Sequence, residues 1–291
     1  MLASAVIVFR EILEAGLVVG VVLASARGVP RLGLWVARGL LAGAAGACLV
    51  AAFAGRLAAL FEGTGQELFN AVVLLLAVAM LAWHGAWMAG HGRAMAQEAR
   101  RLGAAVVRGD RPRAALSLVC GAAMLREGSE IALFLWGVAA SGGTSQAAML
   151  AGGALGLLAG AALAALLYLG LLSIPVRHLF AVTSALVTLL AAGLAAQAVA
   201  FLQQAGLAEV LTGTLWDTSA VLPEDGLPGR LLHSLVGYTD RPTGAQAAAY
   251  LATVLVIVGL SRWASLRSRR APRPLQALQT PAPAQPGGGE G

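Results

Sequence analysis

Long runs of apolar residues alternate with short, arginine-rich links along most of this chain. A helix needs about 20 apolar residues to cross a lipid bilayer, and seven of the runs reach or approach that length. They cover residues 2–26, 34–60, 68–89, 114–140, 147–172, 179–203 and 245–263. The pattern predicts an all-α polytopic membrane protein with seven transmembrane helices.

Two of these runs carry charged residues near their centres. The first contains Arg10-Glu-Ile-Leu-Glu14, and the fourth contains Arg126-Glu-Gly-Ser-Glu130. A charged side chain at the centre of a bilayer costs about 2.5–3.5 kcal/mol to insert. Because both motifs occupy equivalent positions in their runs, we expect them to serve a function rather than to be two unrelated structural ion pairs.

The two motifs start 116 residues apart, and each belongs to the first helix of a set of three. An odd number of helices in a set places the second set in the membrane upside down, which is the plan of many secondary transporters. We therefore predict a 3+3 inverted repeat, with repeat one at 1–90 and repeat two at 114–204. Leu68-Phe69 and Leu179-Phe180 mark matching starts of the third helices.

The remaining segments complete the predicted domain organisation. A link at 205–244, rich in Gly, Pro and Asp, precedes a seventh helix at 245–263, and together with the repeats they form a transmembrane permease domain at 1–263. Residues 264–291 are rich in Pro, Gln and Gly after an arginine cluster, which predicts a disordered cytoplasmic tail.

Composition and charge agree with a membrane protein and predict its orientation. The chain is 58% hydrophobic with a mean hydropathy of +0.79, and its net charge of +6 comes from arginine alone. Fifteen arginines fall on one side of the predicted helices and three on the other. Since basic residues favour the cytoplasmic side, we predict an outer N-terminus and an inner C-terminus. Because the arginines are topology signals and not a patch that binds nucleic acid, we predict no nucleic-acid partner.

The spacing within each motif places its charges on one face of a helix. At about 100° per residue, Arg10, Glu11 and Glu14 fall within about one turn, and the second motif repeats this geometry. Two such faces brought together offer four carboxylates and two guanidinium groups, a formal charge of −2. Clustered oxygen ligands of this charge favour hard cations such as iron, manganese, magnesium or calcium.

We therefore predict a metal site near the membrane midplane. Its ligands are four glutamates and its charge-balancing residues are two arginines: Glu11, Glu14, Glu127 and Glu130, with Arg10 and Arg126. Glu62 and Glu67, before the third helix, are weaker candidates for ligands at the entrance. Glu67 has an alternative role, because a carboxylate at a helix N-terminus interacts favourably with the helix dipole and stabilises the helix.

Two alternatives come from other functional classes. His84 and His91 lie on one face of the third helix and could hold haem with His178, as in a membrane electron carrier, although ordinary packing also accounts for them. A proton-coupled transporter of an organic cation would also use buried carboxylates. No hydrolytic or nucleotide-binding motif is present, so we do not expect an enzyme.

The paired motifs resemble the R-E-x-x-E signatures of the high-affinity iron permease family of fungi and bacteria. Two further stretches are similar to bacterial members. One is Gly65–Phe69 before the third helix, and the other, before the seventh helix, comprises Leu215–Ser219, Gly229–His233 and Gly237–Pro242. Members often have R-E-G-L-E, whereas this chain has Ile12 in the first copy and Ser129 in the second.

The resemblance implies a seven-helix importer of ferrous or ferric iron in the inner (plasma) membrane. It implies that the motif glutamates bind iron as a passing substrate, with no permanently bound cofactor. It also implies partners besides membrane lipid, namely periplasmic iron-binding proteins or oxidase and peroxidase proteins. Manganese or lead is the alternative substrate, because relatives are also associated with other divalent metals.

Overall fold

The computed structural model describes residues 1–59, 66–141, 145–170, 176–224 and 226–270. Eight α-helices occupy this part of the chain: α1 (Leu2–Ser25), α2 (Leu32–Ala59), α3 (Gln66–Arg108), α4 (Ala114–Ala140), α5 (Gln146–Tyr168), α6 (Val176–Gln204), α7 (Leu227–Val236) and α8 (Gly244–Arg270). Glu62, a predicted ligand at the entrance, lies outside the described residues.

Five of the described helices are long and apolar enough to cross a membrane, namely α2, α3, α5, α6 and α8. The helices α1 and α4 have comparable lengths, 24 and 27 residues, but each contains the three charged residues of its motif. The prediction of an all-helical polytopic membrane protein is confirmed.

Two helices continue beyond the ends predicted from hydropathy. The helix α3 runs for 43 residues to Arg108, well past residue 89, and α8 ends at Arg270 instead of residue 263. The prediction of disorder was therefore wrong for residues 264–270, while 271–291 lie outside the described residues. Hydropathy shows where the apolar sequence ends but not where the helix ends, because arginine, alanine and leucine favour a helix in water as well.

The two predicted repeats pack against each other through exchanged pairs of helices, in which a helix of one repeat packs on a helix of the other. The most extensive contacts join α2 to α4 and α5 to α1, while α3 packs against α6. Each motif helix is thus covered by the second helix of the other repeat. Matching contacts of this kind are what two related units produce when they face each other.

Glycines at equivalent positions allow both exchanged pairs to approach closely. A methyl group added at Gly43 of α2 would lie 2.9 Å from the backbone nitrogen of Leu125, and one at Gly156 of α5 would lie 2.9 Å from that of Phe9. Phe9 and Leu125 are 116 residues apart, the spacing of the motifs. Small residues at such contacts let helix backbones pack together within a membrane.

Two apolar clusters lie on either side of the charged motifs along α1 and α4. One includes Ile7 of α1 and Phe134 of α4, and the other includes Val22 and Leu116. The first half of α1 therefore shares a cluster with the second half of α4, which shows that these helices run in opposite directions. The charged residues lie between two apolar layers.

The link between α6 and α8 folds into a compact unit, which we call the cap (residues 205–243, described except for 225). Thr214 and Thr243 form an antiparallel β-bridge, Thr218 hydrogen-bonds to Tyr238, and Asp217 pairs with Arg241 at 3.0 Å. The three parts of the second stretch that resembled bacterial permeases, Leu215–Ser219, Gly229–His233 and Gly237–Pro242, thus contact one another. The α7 helix of the cap packs against α1 and α6.

An added methyl group at the exchanged interface is expected to destabilise the protein. Gly156→Ala places a Cβ against backbone atoms of α1 that cannot move aside independently, so we expect a loss of about 1–3 kcal/mol. Thermal unfolding of the purified protein in detergent measures it. Gly259→Ala is the matched control, because a Cβ there meets nothing within 4 Å among the described residues. Equal melting temperatures would contradict this account of the interface.

The cap contains an ion pair whose strength depends on pH. His233 Nδ1 lies 3.0 Å from Glu224 Oε1, and this pairing raises the pKa of His233 and lowers that of Glu224. Both groups are charged between these two pKa values. The stabilisation is lost as pH rises through the raised pKa of His233, and also as pH falls through the lowered pKa of Glu224.

Removal of the carboxylate is expected to lower the pKa of His233. In Glu224→Gln, an NMR titration of the imidazole should give a pKa of His233 closer to the ordinary 6.5. The cap should also lose the stability that the ion pair provides while His233 is protonated. Asp217→Asn is the control, because Asp217 pairs with Arg241 instead. An unchanged pKa of His233 in Glu224→Gln would show that the pair does not form in solution.

Candidate metal site

The charged residues of both motifs meet between α1, α3 and α4. Glu11 and Glu14 come from the middle of α1, Glu127 and Glu130 from the middle of α4, and His84 from α3. Four of these five residues are buried, and Glu130 is partly exposed. The sequence prediction that the two motif faces come together agrees with this geometry.

The first motif is held together by its own arginine. Arg10 Nη1 lies 3.0 Å from Glu11 Oε1, and Nη2 lies 3.1 Å from Glu14 Oε1. The Arg10 side chain is only 3% exposed. One guanidinium group therefore pairs with one oxygen of each carboxylate and leaves the second oxygen of each available.

The second motif has the same ion pairs in a more open setting. Arg126 Nε lies 3.2 Å from Glu130 Oε1 and 3.6 Å from Glu127 Oε1, but its side chain is 28% exposed. The guanidinium group lies over the ring of Trp87 at 4.2 Å and contacts the sulfur atoms of Met88 and Met95 at 3.5 Å. Residues of α3 therefore hold this arginine.

His84 connects the two motifs. Its Nδ1 contacts Glu130 Oε2 of α4, and its Nε2 lies 3.5 Å from Glu14 Oε2 and 3.7 Å from Glu11 Oε2 of α1. From the sequence alone, His84 is expected in packing or in a haem site, and its place among the carboxylates is missed. Its position as an isolated polar residue within an apolar helix was the one available signal.

A subset of these residues has the spacing of a metal site. One ligand atom each from Glu11, His84, Glu127 and Glu130 lies within 4.8 Å of the others. Ligand atoms about 2.0–2.2 Å from a transition-metal ion lie up to about twice that distance apart, so a small contraction would suit such an ion. Glu14 is not in this subset, although it adjoins His84 and Arg10.

Several polar atoms at the site have no hydrogen-bond partner. Within the described residues, these include Glu11 Oε2, Glu14 Oε2, Glu127 Oε2 and His84 Nε2. Buried polar atoms are normally paired, because an unpaired one costs about 1–3 kcal/mol. Their accumulation at one point indicates that the site is built for something other than stability.

The other candidate residues do not join this cluster. Glu67 is exposed in the first turn of α3. His91 and His178 are also exposed, and His91 stacks on Trp87. Because both nitrogens of His84 face carboxylates, the geometry gives no support to a haem held between His84 and His178.

Comparisons with known proteins agree with the predicted family. Residues 1–271 match the iron permease FTR1 family. The chain belongs to this family. Family membership shows a permease rather than an enzyme, and together with the apolar helices it shows a multi-pass membrane protein of iron transport.

Two relatives illustrate the extent of the similarity. The ferrous iron permease EfeU of Shigella sonnei (strain Ss046) is 31% identical over 272 residues, which cover 91% of this chain and 98% of that protein. The ferrous iron permease EfeU of Escherichia coli O6:K15:H31 (strain 536 / UPEC) is 32% identical over 248 residues, 84% of this chain and 89% of that protein. No solved structure matches the chain.

The packing around Ile12 explains how this permease accommodates a departure from R-E-G-L-E. The side chain of Ile12 lies over Gly160 of α5, where an added Cβ would be 3.2 Å from its Cβ and Cγ2 atoms. At the equivalent contact in the other repeat, Gly128 of α4 faces Ala47 of α2. The larger residue in the first motif is thus matched by a glycine on the helix that covers it.

Removal of the two arginines is expected to have unequal effects on the stability of the permease. Arg10→Gln leaves two buried carboxylates without a cation, which typically costs about 3–5 kcal/mol. Arg126→Gln should cost less, because this arginine is more exposed and solvent screens its ion pairs. Melting temperatures of the two variants in detergent test this order, and an equal or larger effect at Arg126 would contradict it.

Proposed function

We propose that this permease imports iron through the site between α1, α3 and α4, with Glu11, Glu14, Glu127 and Glu130 as metal ligands. The observation that carries the proposal is the convergence of carboxylate oxygens from both motifs, among which Glu11 Oε2, Glu14 Oε2 and Glu127 Oε2 have no hydrogen-bond partner within the described residues. Arg10 and Arg126 balance part of the charge and orient the carboxylates.

Charge favours a cation as the transported species. Four carboxylates and two guanidinium groups have a formal charge of −2, and an apolar layer lies on each side of them. An excess of one charge is costly where the dielectric constant is low, so a divalent cation stabilises the site. An organic anion would be repelled.

We propose ferrous iron as the substrate, because the two relatives are named ferrous iron permeases. Its charge also equals the formal excess of the site. Manganese and lead are the competing divalent ions, and ferric iron is the competing oxidation state. The ion passes through as a substrate and is not a resident cofactor.

The transport route follows from the proposed arrangement of helices in the membrane. Seven helices, α1–α6 and α8, cross the bilayer with the N-terminus outside and the C-terminus inside, as the arginine distribution favours. The exchanged contacts of α2 with α4 and of α5 with α1 support a 3+3 inverted repeat. Movement of the two repeats about the site would expose it to each side in turn.

The same arrangement places the remaining elements. The cap and Glu67 lie on the outer (periplasmic) side, where Glu67 is available to ions near the entrance. Periplasmic iron-binding or oxidase-type proteins would deliver iron on this side of the inner membrane. The basic ends of α3 and α8 lie in the cytoplasm.

Loss of a motif carboxylate is expected to abolish iron uptake. Glu14→Gln and Glu130→Gln each remove one charged ligand, so we expect at least about a hundredfold lower uptake with the protein still folded in the membrane. Labelled iron is measured in right-side-out vesicles, with ferrous and ferric iron compared. Glu98→Gln, on an exposed position of α3, is the control. Normal uptake by either motif variant would overturn the carboxylate site.

A further inference from the structure

We infer that His84 is a metal ligand of this permease, and that its imidazole makes the site select transition-metal ions over magnesium and calcium. The inference rests on the proposed function, because it assigns a further ligand to the same site. It goes beyond the paired carboxylate motifs, since His84 belongs to neither of them and lies on α3.

The first support is the position of the ring. His84 is 4% exposed, and its Nε2 has no hydrogen-bond partner among the described residues although two carboxylate oxygens lie within 3.7 Å. Its Nδ1 contacts Glu130 on the opposite side of the ring. A single imidazole thus reaches both motifs. One of its nitrogens is among the four potential ligand atoms that lie within 4.8 Å of one another.

The second support is that the ring is fixed in place. Phe134 of α4 meets it edge to face, with the ring centroids 6.5 Å apart and the planes at 78°. Phe134 is itself 1% exposed and belongs to the apolar cluster that also contains Ile7. A ligand held by packing keeps its geometry when an ion arrives, which favours binding.

The third support is chemical. Carboxylates alone bind magnesium, calcium and manganese as well as iron, and magnesium and calcium prefer sites made of oxygen only. An imidazole nitrogen favours iron, cobalt, nickel, copper and zinc. A mixed site of one nitrogen and several oxygens therefore rejects the hard ions that carboxylates would otherwise admit.

The fourth support is that only one repeat supplies this residue. When the third helices are aligned on Leu68-Phe69 and Leu179-Phe180, the position of His84 corresponds to Ala195, which is buried and cannot bind metal. The imidazole is therefore not part of what the two predicted repeats share. The single copy is what one additional ligand for one ion requires.

The experiment uses the full-length permease in lipid nanodiscs with manganese as the spectroscopic probe. Pulsed EPR of bound Mn²⁺ is expected to show coupling to an imidazole nitrogen, and this coupling should vanish in His84→Gln. Competition binding with Fe²⁺, Mg²⁺ and Ca²⁺ should show at least a tenfold loss of affinity for Fe²⁺, with little change for Mg²⁺ and Ca²⁺. His84→Asn is a second variant in case the first does not fold.

The matched control is His91→Gln, seven residues along the same helix and exposed. It should keep both the nitrogen coupling and the preference for Fe²⁺. If wild-type protein binds Mn²⁺ without nitrogen coupling, or if His84 variants keep the wild-type preference for Fe²⁺ over Mg²⁺, the assignment of His84 is overturned. If wild-type protein binds no metal, or if Glu127→Gln binds it normally, the proposed carboxylate site itself fails.

Discussion

The structure depends on four carboxylates, three buried and one partly buried, that meet at one place between two apolar layers. Taking a single carboxylate out of water costs several kcal/mol unless a cation or a set of hydrogen bonds accompanies it. Each motif supplies one arginine, which pairs with one oxygen of each carboxylate in the same turn of helix. The arrangement is therefore only partly compensated, and in the proposed function an incoming cation completes it.

The helix packing makes this convergence geometrically accessible. Each motif helix is covered by a glycine-containing helix of the other repeat, and Gly43 and Gly156 occupy matching places in the two contacts. Because neither glycine has a side chain, the motif helices are held close to helices of the opposite repeat. Small residues outside the site thus set how closely each motif helix approaches the other repeat, and a methyl group at these positions would disturb that packing.

Much of this architecture could be predicted from the sequence. Hydropathy located the apolar helices, and helical periodicity placed Arg10, Glu11 and Glu14 on one face. The inverted repeat indicated by the spacing of the motifs stays a prediction. The helix ends could not be predicted in this way, because α3 and α8 continue as helices in polar sequence. The fold of the cap also escaped prediction, since its contacts join residues that are distant in the chain.

The place of His84 could not be predicted for a related reason. A histidine in an apolar helix has no preferred partner in sequence, and nothing in the local pattern indicates that both of its nitrogens face carboxylates on two other helices. The motifs were recognisable because they occur twice. A residue that occurs once, such as His84, becomes part of the site only when the helices are assembled.

The two halves of the site have the same charges but different surroundings, and the difference comes from α3. Trp87, Met88 and Met95 contact Arg126, whereas Arg10 is buried against its own carboxylates. In the alignment of the third helices, Trp87 and Met88 correspond to Ala198 and Val199 of the second repeat, which have no ring or sulfur atom, and the position of Met95 falls beyond the end of α6. An exchange of conformations between the repeats therefore cannot give Arg10 the contacts of Arg126. The motifs make the site negative and α3 makes it asymmetric, so an ion bound as we propose would meet different neighbours on the α1 side and on the α4 side.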